Sequence, residues 1–267
     1  MPLMRVGEVS LYYRLTDYTE PWRAAPAPVV FLHGLGGDHS VWLYQVPELC
    51  SRLPVITLDL RGHGRSTIPE RPFGMAAMAL DVARLLRELG AERAHIVGLS
   101  LGGMVAQQFA LDHPQAVASL VLADTLCATP DSFRDVAQAS LQFIEQNDMA
   151  TVAQSRITAA FSDHVDPVLR EYVIDRIARN DKAAYLSAAR AAFSFAAAQS
   201  IHAIQAPTLV LCGEDDRVTP LPLSEEIAAR IPGARLARIA GAGHISNLER
   251  PREFNRIVLE FLTGVGC

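Results

Sequence analysis

The chain lacks the features that would commit it to several large protein classes. Its four cysteines, Cys50, Cys127, Cys212 and Cys267, are scattered. With no CxxC pair and no dense framework, they exclude a zinc ribbon or disulfide scaffold and fit a reducing compartment. No stretch is long and apolar enough to span a membrane, and the N-terminal MPLMRVGEVSLYYRL alternates polar and apolar residues where a signal peptide would be continuously apolar. The expected location is cytoplasmic, with no membrane partner. A net charge of -5 gives no broad cationic field, so nucleic acid is not an expected partner either. His39, His95, His113, His164 and His202 show no metal-like clustering in the sequence and read as surface or packing residues, so no metal and no cofactor are expected. Internal repeats and low-complexity tracts are absent as well.

What is present is a chain of 267 residues, 50% hydrophobic and 20% charged, which suits one soluble domain with a large core. Short β-branched runs alternate with longer helical patterns, the signature of an α/β protein with a mainly parallel sheet covered on both faces. Met4 to Glu8 and Ser10 to Leu15 read as an opening strand pair, followed by a Pro- and Ala-rich loop from Thr16 to Pro28. Val29 to Leu32, Val55 to Leu58, His95 to Val97, Leu120 to Ala123, Thr208 to Cys212 and Leu236 to Ile239 read as buried strands. Ala76 to Leu89 and Leu101 to Asp112 carry helical spacing, the first stopping at Gly90 and the second at His113-Pro114. From Thr129 to Ser200 the strand signal gives way to Ala-rich amphipathic segments interrupted at Pro167, and the Ala191 to Ala198 run reads as helix-forming composition. The expected organisation is a core of residues 1–128 and 201–267 with a helical lid, 129–200, inserted in it.

The strongest chemical signal is Gly98-Leu99-Ser100-Leu101-Gly102, set between a strand and a helix. A sharp strand-to-helix turn needs small neighbours and projects the serine hydroxyl above the sheet, which makes Ser100 the candidate nucleophile. Upstream, strand Val29 to Leu32 runs into His33-Gly34-Leu35-Gly36-Gly37. A dinucleotide-binding turn would want a small residue where His39 stands, so that reading fails. A glycine turn aiming the Leu35 N–H at the same point as the Leu101 N–H would instead form an oxyanion hole.

A serine nucleophile needs a base and an orienting acid, and in this architecture they follow it in the order acid, then histidine. Gly213-Glu214-Asp215-Asp216-Arg217-Val218-Thr219-Pro220 follows a strand and supplies the acid candidates. Gly241-Ala242-Gly243-His244 follows the last strand, its glycines allowing close approach, and His244 is the candidate base.

Together, GLSLG, HGLGG, DLRGHGRS from Asp59 to Ser66, GEDDRVTP and GAGHISNLERP resemble the α/β-hydrolase superfamily over almost the whole chain. The resemblance implies that Asp216 is the acid of the G-x-x-D pattern, with Asp215 a solvated neighbour and Asp124, after another strand, as the backup position. It implies hydrogen-bonding of His33 to backbone near the oxyanion loop, and a structural place for His63. Ser100 stands where the haloalkane dehalogenases and epoxide hydrolases of this fold use an aspartate, so acyl hydrolysis through an acyl-enzyme is implied.

The segment from Gly243 to Pro251, with Phe254-Asn255 beyond, is especially similar to bacterial 3-oxoadipate enol-lactonases, which open a small carboxylated enol-lactone in aromatic catabolism. General carboxylesterases and acyl-homoserine lactonases are similar too, and the small-molecule partner is expected to be an ester or a lactone. A hydrolase-like ligand receptor is the alternative of another class. Between Pro130 and Ser200 there are seven Lys or Arg, nine Asp or Glu and no Trp, so no substrate site declares itself there. Phe133, Phe143, Phe161, Phe193 and Phe195 are candidate wall residues. If the enol-lactonase resemblance holds, one of Arg134, Arg156, Arg170, Arg176, Arg179 and Arg190 is expected to hold a substrate carboxylate.

Overall fold

The computed structural model describes residues 3–20 and 26–266; residues 1, 2, 21–25 and 267 lie outside the described residues, and with them the middle of the loop expected from Thr16 to Pro28 and the thiol of Cys267. The strands are β1 (Leu3–Val6), β2 (Val9–Thr16), β3 (Val29–Leu32), β4 (Val55–Leu58), β5 (Ala94–Leu99), β6 (Val117–Ala123), β7 (Thr208–Gly213) and β8 (Arg235–Ile239). They form one sheet in the order β1-β2-β4-β3-β5-β6-β7-β8. β1 and β2 pair antiparallel with their neighbours, and all the later pairings are parallel.

Every residue of β3, β4, β5 and β7 is buried, because helices cover both faces. Strand alternation divides the core: Val30 and Leu32 point into one apolar layer, Val29 and Phe31 into the other. The first layer is closed by α2 (Met75–Glu88) and α3 (Leu101–Asp112), through Met78, Val82, Leu85, Val105 and Phe109. The second holds Trp42 and the C-terminal helix, which follows the short helices α1 (Val46–Leu49) and, far downstream, α9 (Ser246–Glu249).

Between β6 and β7 the chain forms α4 (Arg134–Gln146), α5 (Met149–Ala160), α6 (Pro167–Ala178) and α7 (Lys182–Phe193). Three begin on an aspartate that accepts a backbone N–H: Asp148 from Thr151, Asp166 from Val168 and Asp181 from Ala184. Pro167 therefore opens a helix rather than interrupting one, since its fixed φ suits the first turn. The Ala-rich run from Ala191 to Ala198 is also corrected. α7 stops at Phe193, and Ala196 instead forms an isolated antiparallel bridge with Ala128, drawing the two ends of the insertion together. Local alanine content is overridden there by a tertiary pairing. α8 (Leu221–Arg230) and α10 (Pro251–Gly264), which the sequence reading left unassigned, cover the end of the sheet, α10 burying Phe254, Val258, Phe261 and Leu262. Among the described residues no helix is long and apolar enough to cross a membrane.

The parallel register brings the C-terminal ends of the central strands to one edge. Leu32 pairs with Gly98, Leu99 with Ala123, Ala123 with Leu211 and Gly213 with Ile239. The loops that follow β3, β5, β6, β7 and β8 thus leave the sheet along one edge, the edge at which ligands bind in open α/β sheets.

Candidate active site

Ser100 sits between β5 and α3 with φ 53° and ψ -115°, left-handed backbone that a non-glycine residue adopts only when its surroundings enforce it. They do: the Ser100 N–H donates to Ala123 O at 2.9 Å, and Thr125 Oγ1 donates to Ser100 O at 2.8 Å. The flanking glycines are steric necessities. A Cβ on Gly98 would overlap the Gly102 carbonyl, and one on Gly102 would overlap the backbone of Leu32.

Ser100 Oγ lies 2.8 Å from His244 Nε2, and His244 Nδ1 lies 2.9 Å from Asp216 Oδ2. A carboxylate at Nδ1 accepts the proton there, leaving Nε2 as the acceptor for the serine hydroxyl. Asp216 is itself fixed: Oδ1 accepts the Val218 and Thr219 N–H groups at 2.8 and 2.9 Å, and Oδ2 accepts Thr219 Oγ1 at 2.8 Å. His244 is pinned through its backbone N–H to Ala160 O at 2.8 Å, at the end of α5. Glu249 ties its neighbourhood to the same helix end, accepting Gly243 N–H at 2.8 Å and Ser162 N–H at 3.0 Å.

The electrostatics follow the geometry. Burial alone pushes the His244 pKa down, but the Asp216 charge and hydrogen bond outweigh it and hold the imidazole above its ordinary value. For Asp216, burial pushes up while the His244 charge and hydrogen bonds from His244 and Thr219 win, holding the carboxyl below the usual range. Asp215 is exposed beside it. Asp124, also at positive φ (47°), is fully buried, and its carboxylate oxygen lies within 4.8 Å of those of Asp216. It does not bond His244. Its Oδ1 accepts Gly213 N–H at 2.9 Å and its Oδ2 accepts Ser246 Oγ at 2.5 Å, so it clamps the acid loop to the histidine loop. Burial, then repulsion from Asp216, pushes its pKa up to about 7.

The glycine loop after β3 passes next to Ser100: a Cβ on Gly34 would sit 3.4 Å from the Ser100 Cβ. Gly37 N–H donates to Gly34 O at 3.1 Å and Gly36 has φ 76°, so Leu35 stands at the tip of a tight turn. Leu101 opens α3, where its N–H has no intrahelical acceptor. His33 is buried behind the loop, its Nδ1 2.8 Å from Gly34 O and its Nε2 accepting Leu60 N–H at 2.9 Å. His63 is buried with Nδ1 3.1 Å from Arg61 O, and burial with the adjacent His33 pushes its pKa down to about 3. His39, read from sequence among surface or packing residues without metal-like clustering, lies with Nδ1 2.7 Å from Asp59 and with donor atoms of Asp38 and Asp59 within 4.8 Å. Backbone N–H groups of Ser40, His39 and Arg65 already occupy those two acids.

Four residues around this constellation escaped the sequence reading: Thr125, Thr219, Ser246 and Glu249. Thr219, Ser246 and Glu249 lie inside the motifs quoted above, but a hydroxyl or carboxylate there carries no mark of what it will touch. Of the candidate wall residues, Phe161 and Phe195 are buried in the two cores, Phe143 is exposed, and Phe133 and Phe193 are half-buried. Of the arginines, Arg134, Arg179 and Arg190 pair at the surface with Asp131, Asp175 and Glu145. Arg170 is half-buried, and Arg156 and Arg176 each bury one N–H without a protein partner.

The profile of the alpha/beta hydrolase fold matches residues 27–251. The chain is 31% identical over 246 residues to 3-oxoadipate enol-lactonase 1 of Acinetobacter baylyi, covering 90% of each chain. It is 30% identical over 283 residues to the RutD protein of Caulobacter vibrioides, named for carbamate hydrolysis, covering 99% of this chain and 100% of that one. The crystal structure of the enol-lactonase from Burkholderia xenovorans LB400 superposes with a TM-score of 0.91 at 29% identity, covering 98% of this chain and 100% of that one.

Proposed function

Since the chain belongs to the α/β-hydrolase fold family, we propose that it is a serine hydrolase opening a small carboxylic ester or lactone through an acyl-enzyme. One observation carries this reading: the unbroken hydrogen-bond relay from Ser100 Oγ through His244 to Asp216. Ser100 Oγ attacks the substrate carbonyl carbon and its proton passes to His244 Nε2. The carbonyl oxygen, now an anion, accepts the Leu35 and Leu101 N–H groups. Collapse expels the alkoxide, which takes the proton from His244. In a lactone that alcohol stays tethered to the acyl group. Water then donates a proton to His244 as its oxygen attacks the ester carbon, and collapse releases the acid while His244 returns that proton to the departing Ser100 Oγ. Residues 129–200 act as the lid over this centre, and residues 1–128 and 201–267 as its core.

The names of the relatives support an ester-like bond and leave its class to experiment. Steady-state assays with 4-nitrophenyl esters of graded chain length, small lactones and aryl carbamates test it. Multiple turnover of esters or lactones is expected, with Ser100→Ala folded and slower by roughly ten-thousand-fold or more. Wild-type activity in Ser100→Ala would remove the mechanism. Preference for carbamates would move the bond class. A single stoichiometric burst would favour a ligand receptor.

A further inference from the structure

Two consecutive backbone N–H groups fasten the histidine loop, and both lead to the insertion. The His244 N–H donates at 2.8 Å to the carbonyl of Ala160, the last residue of α5. The Gly243 N–H donates to Glu249 Oε1 at 2.8 Å, and the other oxygen of that carboxylate accepts the Ser162 N–H, just past α5, at 3.0 Å. One side chain therefore joins the residue before the base to the connection between α5 and α6. The contact has no slack. A Cβ on Gly243 would lie 2.7 Å from Ser162 N and 2.9 Å from Glu249 Oε1, so the backbone of the insertion packs directly on the histidine loop.

The bridge needs a carboxylate. Each of its oxygens accepts one N–H, and both bonds are charge-assisted. An amide of the same size offers one oxygen and one NH2 group, so it must turn a donor towards either Gly243 or Ser162 and leave that N–H without an acceptor. Glu249 is half-buried at the end of α9, within one short helix of His244, and it is the backbone at Gly243 and His244 that sets how far the imidazole reaches towards Ser100. Asp216 holds only Nδ1 of that ring. The same connection is also tied to the acid loop, where Arg217 Nη2 donates to both oxygens of Asp163 at 3.0 Å, but that pair is largely exposed and is worth little.

We propose that Glu249 is a positioning residue for His244: by holding Gly243 and Ser162 together it makes the corner between α5 and α6 part of the mounting of the base rather than a movable part of a lid. The effect on reaction rests on the serine-hydrolase reading above; the mounting itself does not.

Two measurements keep the claims apart. Hydrogen exchange read by mass spectrometry tests the mounting without turnover. In the wild type, peptides covering residues 160–166 and 241–250 are expected to be protected, and in Glu249→Gln they should exchange roughly 10- to 100-fold faster, as befits the loss of a charge-assisted bond, with the rest of the chain unchanged. Kinetics on a short 4-nitrophenyl ester test the effect on His244: kcat in Glu249→Gln should fall roughly 10- to 100-fold while KM stays within about three-fold, because a displaced base slows chemistry and leaves binding alone. Glu249→Asp keeps the charge but is one methylene shorter, and should fall between. Asp163→Ala, which removes only the exposed tie, should keep kcat within about two-fold.

Rapid exchange at 160–166 in the wild type overturns the proposal, as does unchanged exchange in a folded Glu249→Gln. So does faster exchange spread over the whole chain, wild-type kcat in a variant whose two peptides have loosened, or an equal loss of kcat in Asp163→Ala. Should Glu249→Gln not fold, Glu249→Asp decides by the same readings, and unchanged exchange or unchanged kcat there overturns it. If the wild type turns over no ester, the hydrolase reading fails, and the exchange pattern alone accepts or rejects the mounting.

Discussion

Two buried carboxylates approach His244, and their partners assign them different tasks. Asp216 touches the imidazole, while Asp124 holds the Gly213 amide and the Ser246 hydroxyl. On the proposed mechanism only neutral His244 can take the serine proton, so kcat/KM rises with pH through the histidine pKa. Because that pKa is raised, the rise should lie above the ordinary 6.5. Asp216→Asn removes the charge that stabilises the imidazolium, so the rise moves to lower pH. The plateau should also fall by about three to four orders of magnitude, because an amide can donate to Nδ1 and favour the wrong tautomer. Asp124→Asn removes a carboxyl that does not bond the imidazole and, pushed up to about 7, is only partly ionised over this range, so its rise should shift down less. A pH profile of kcat/KM on a short 4-nitrophenyl ester measures both, and a larger shift in Asp124→Asn would transfer the orienting role to Asp124.

At the scale of elements, the Ser100 turn depends on how closely α3 approaches β3. Gly102 has no room for a methyl group, since the Leu32 backbone occupies that place. Gly102→Ala must therefore push the start of α3, and Ser100 with it, away from the sheet. The expected cost is about 3 kcal/mol or more, with activity lost by roughly a hundred-fold as the Oγ leaves His244. Gly74, before α2, is the control: a Cβ there meets nothing within 4 Å and its φ is -119°. Gly74→Ala should stay within about 1 kcal/mol. Thermal melts of the two variants decide, and equal stability would show that α3 can shift without consequence.

Across the whole molecule, the C-terminal segment is fastened to the first third of the chain by a buried amide network. Gln45 Nε2 donates to Asn247 O at 3.0 Å and to Asn255 Oδ1 at 2.9 Å, and Asn247 Nδ2 donates to Val41 O at 2.9 Å. Asn247 lies three residues beyond His244, so this network sets where the histidine loop begins and α10 docks. Gln45→Ala leaves two buried acceptors short of a donor, and the expected loss is about 1–3 kcal/mol. At roughly 2–4 °C per kcal/mol for a chain approaching this size, a melting scan should show it plainly. An unchanged melting temperature would mean that water replaces the amide.

The sequence by itself determined the features written in short-range patterns. β-branched runs marked the central strands because a strand buried on both faces must be continuously apolar, whereas Leu236 to Ile239, read as buried, falls in the edge strand β8, where only Ile239 is buried. Ser100 and His244 were legible because each sits in a glycine-bracketed turn directly after a strand. The aspartate caps at Asp148, Asp166 and Asp181 are equally local but were not assigned from the sequence, and Pro167 was read as a break because a proline marks a stop or a start depending on the cap before it. Only the tertiary structure decided matters that join distant segments. Asp216 and Asp215 are adjacent in sequence, and it is the fold that buries one against a histidine 28 residues away and leaves the other in water. Asp124 became a clamp because parallel register set it beside Gly213, 89 residues on. Ala196 left its helical composition to pair with Ala128. Glu249 came to bridge Gly243 and Ser162 only through the fold, because burial and pairing depend on which elements pack together and not on the residue alone.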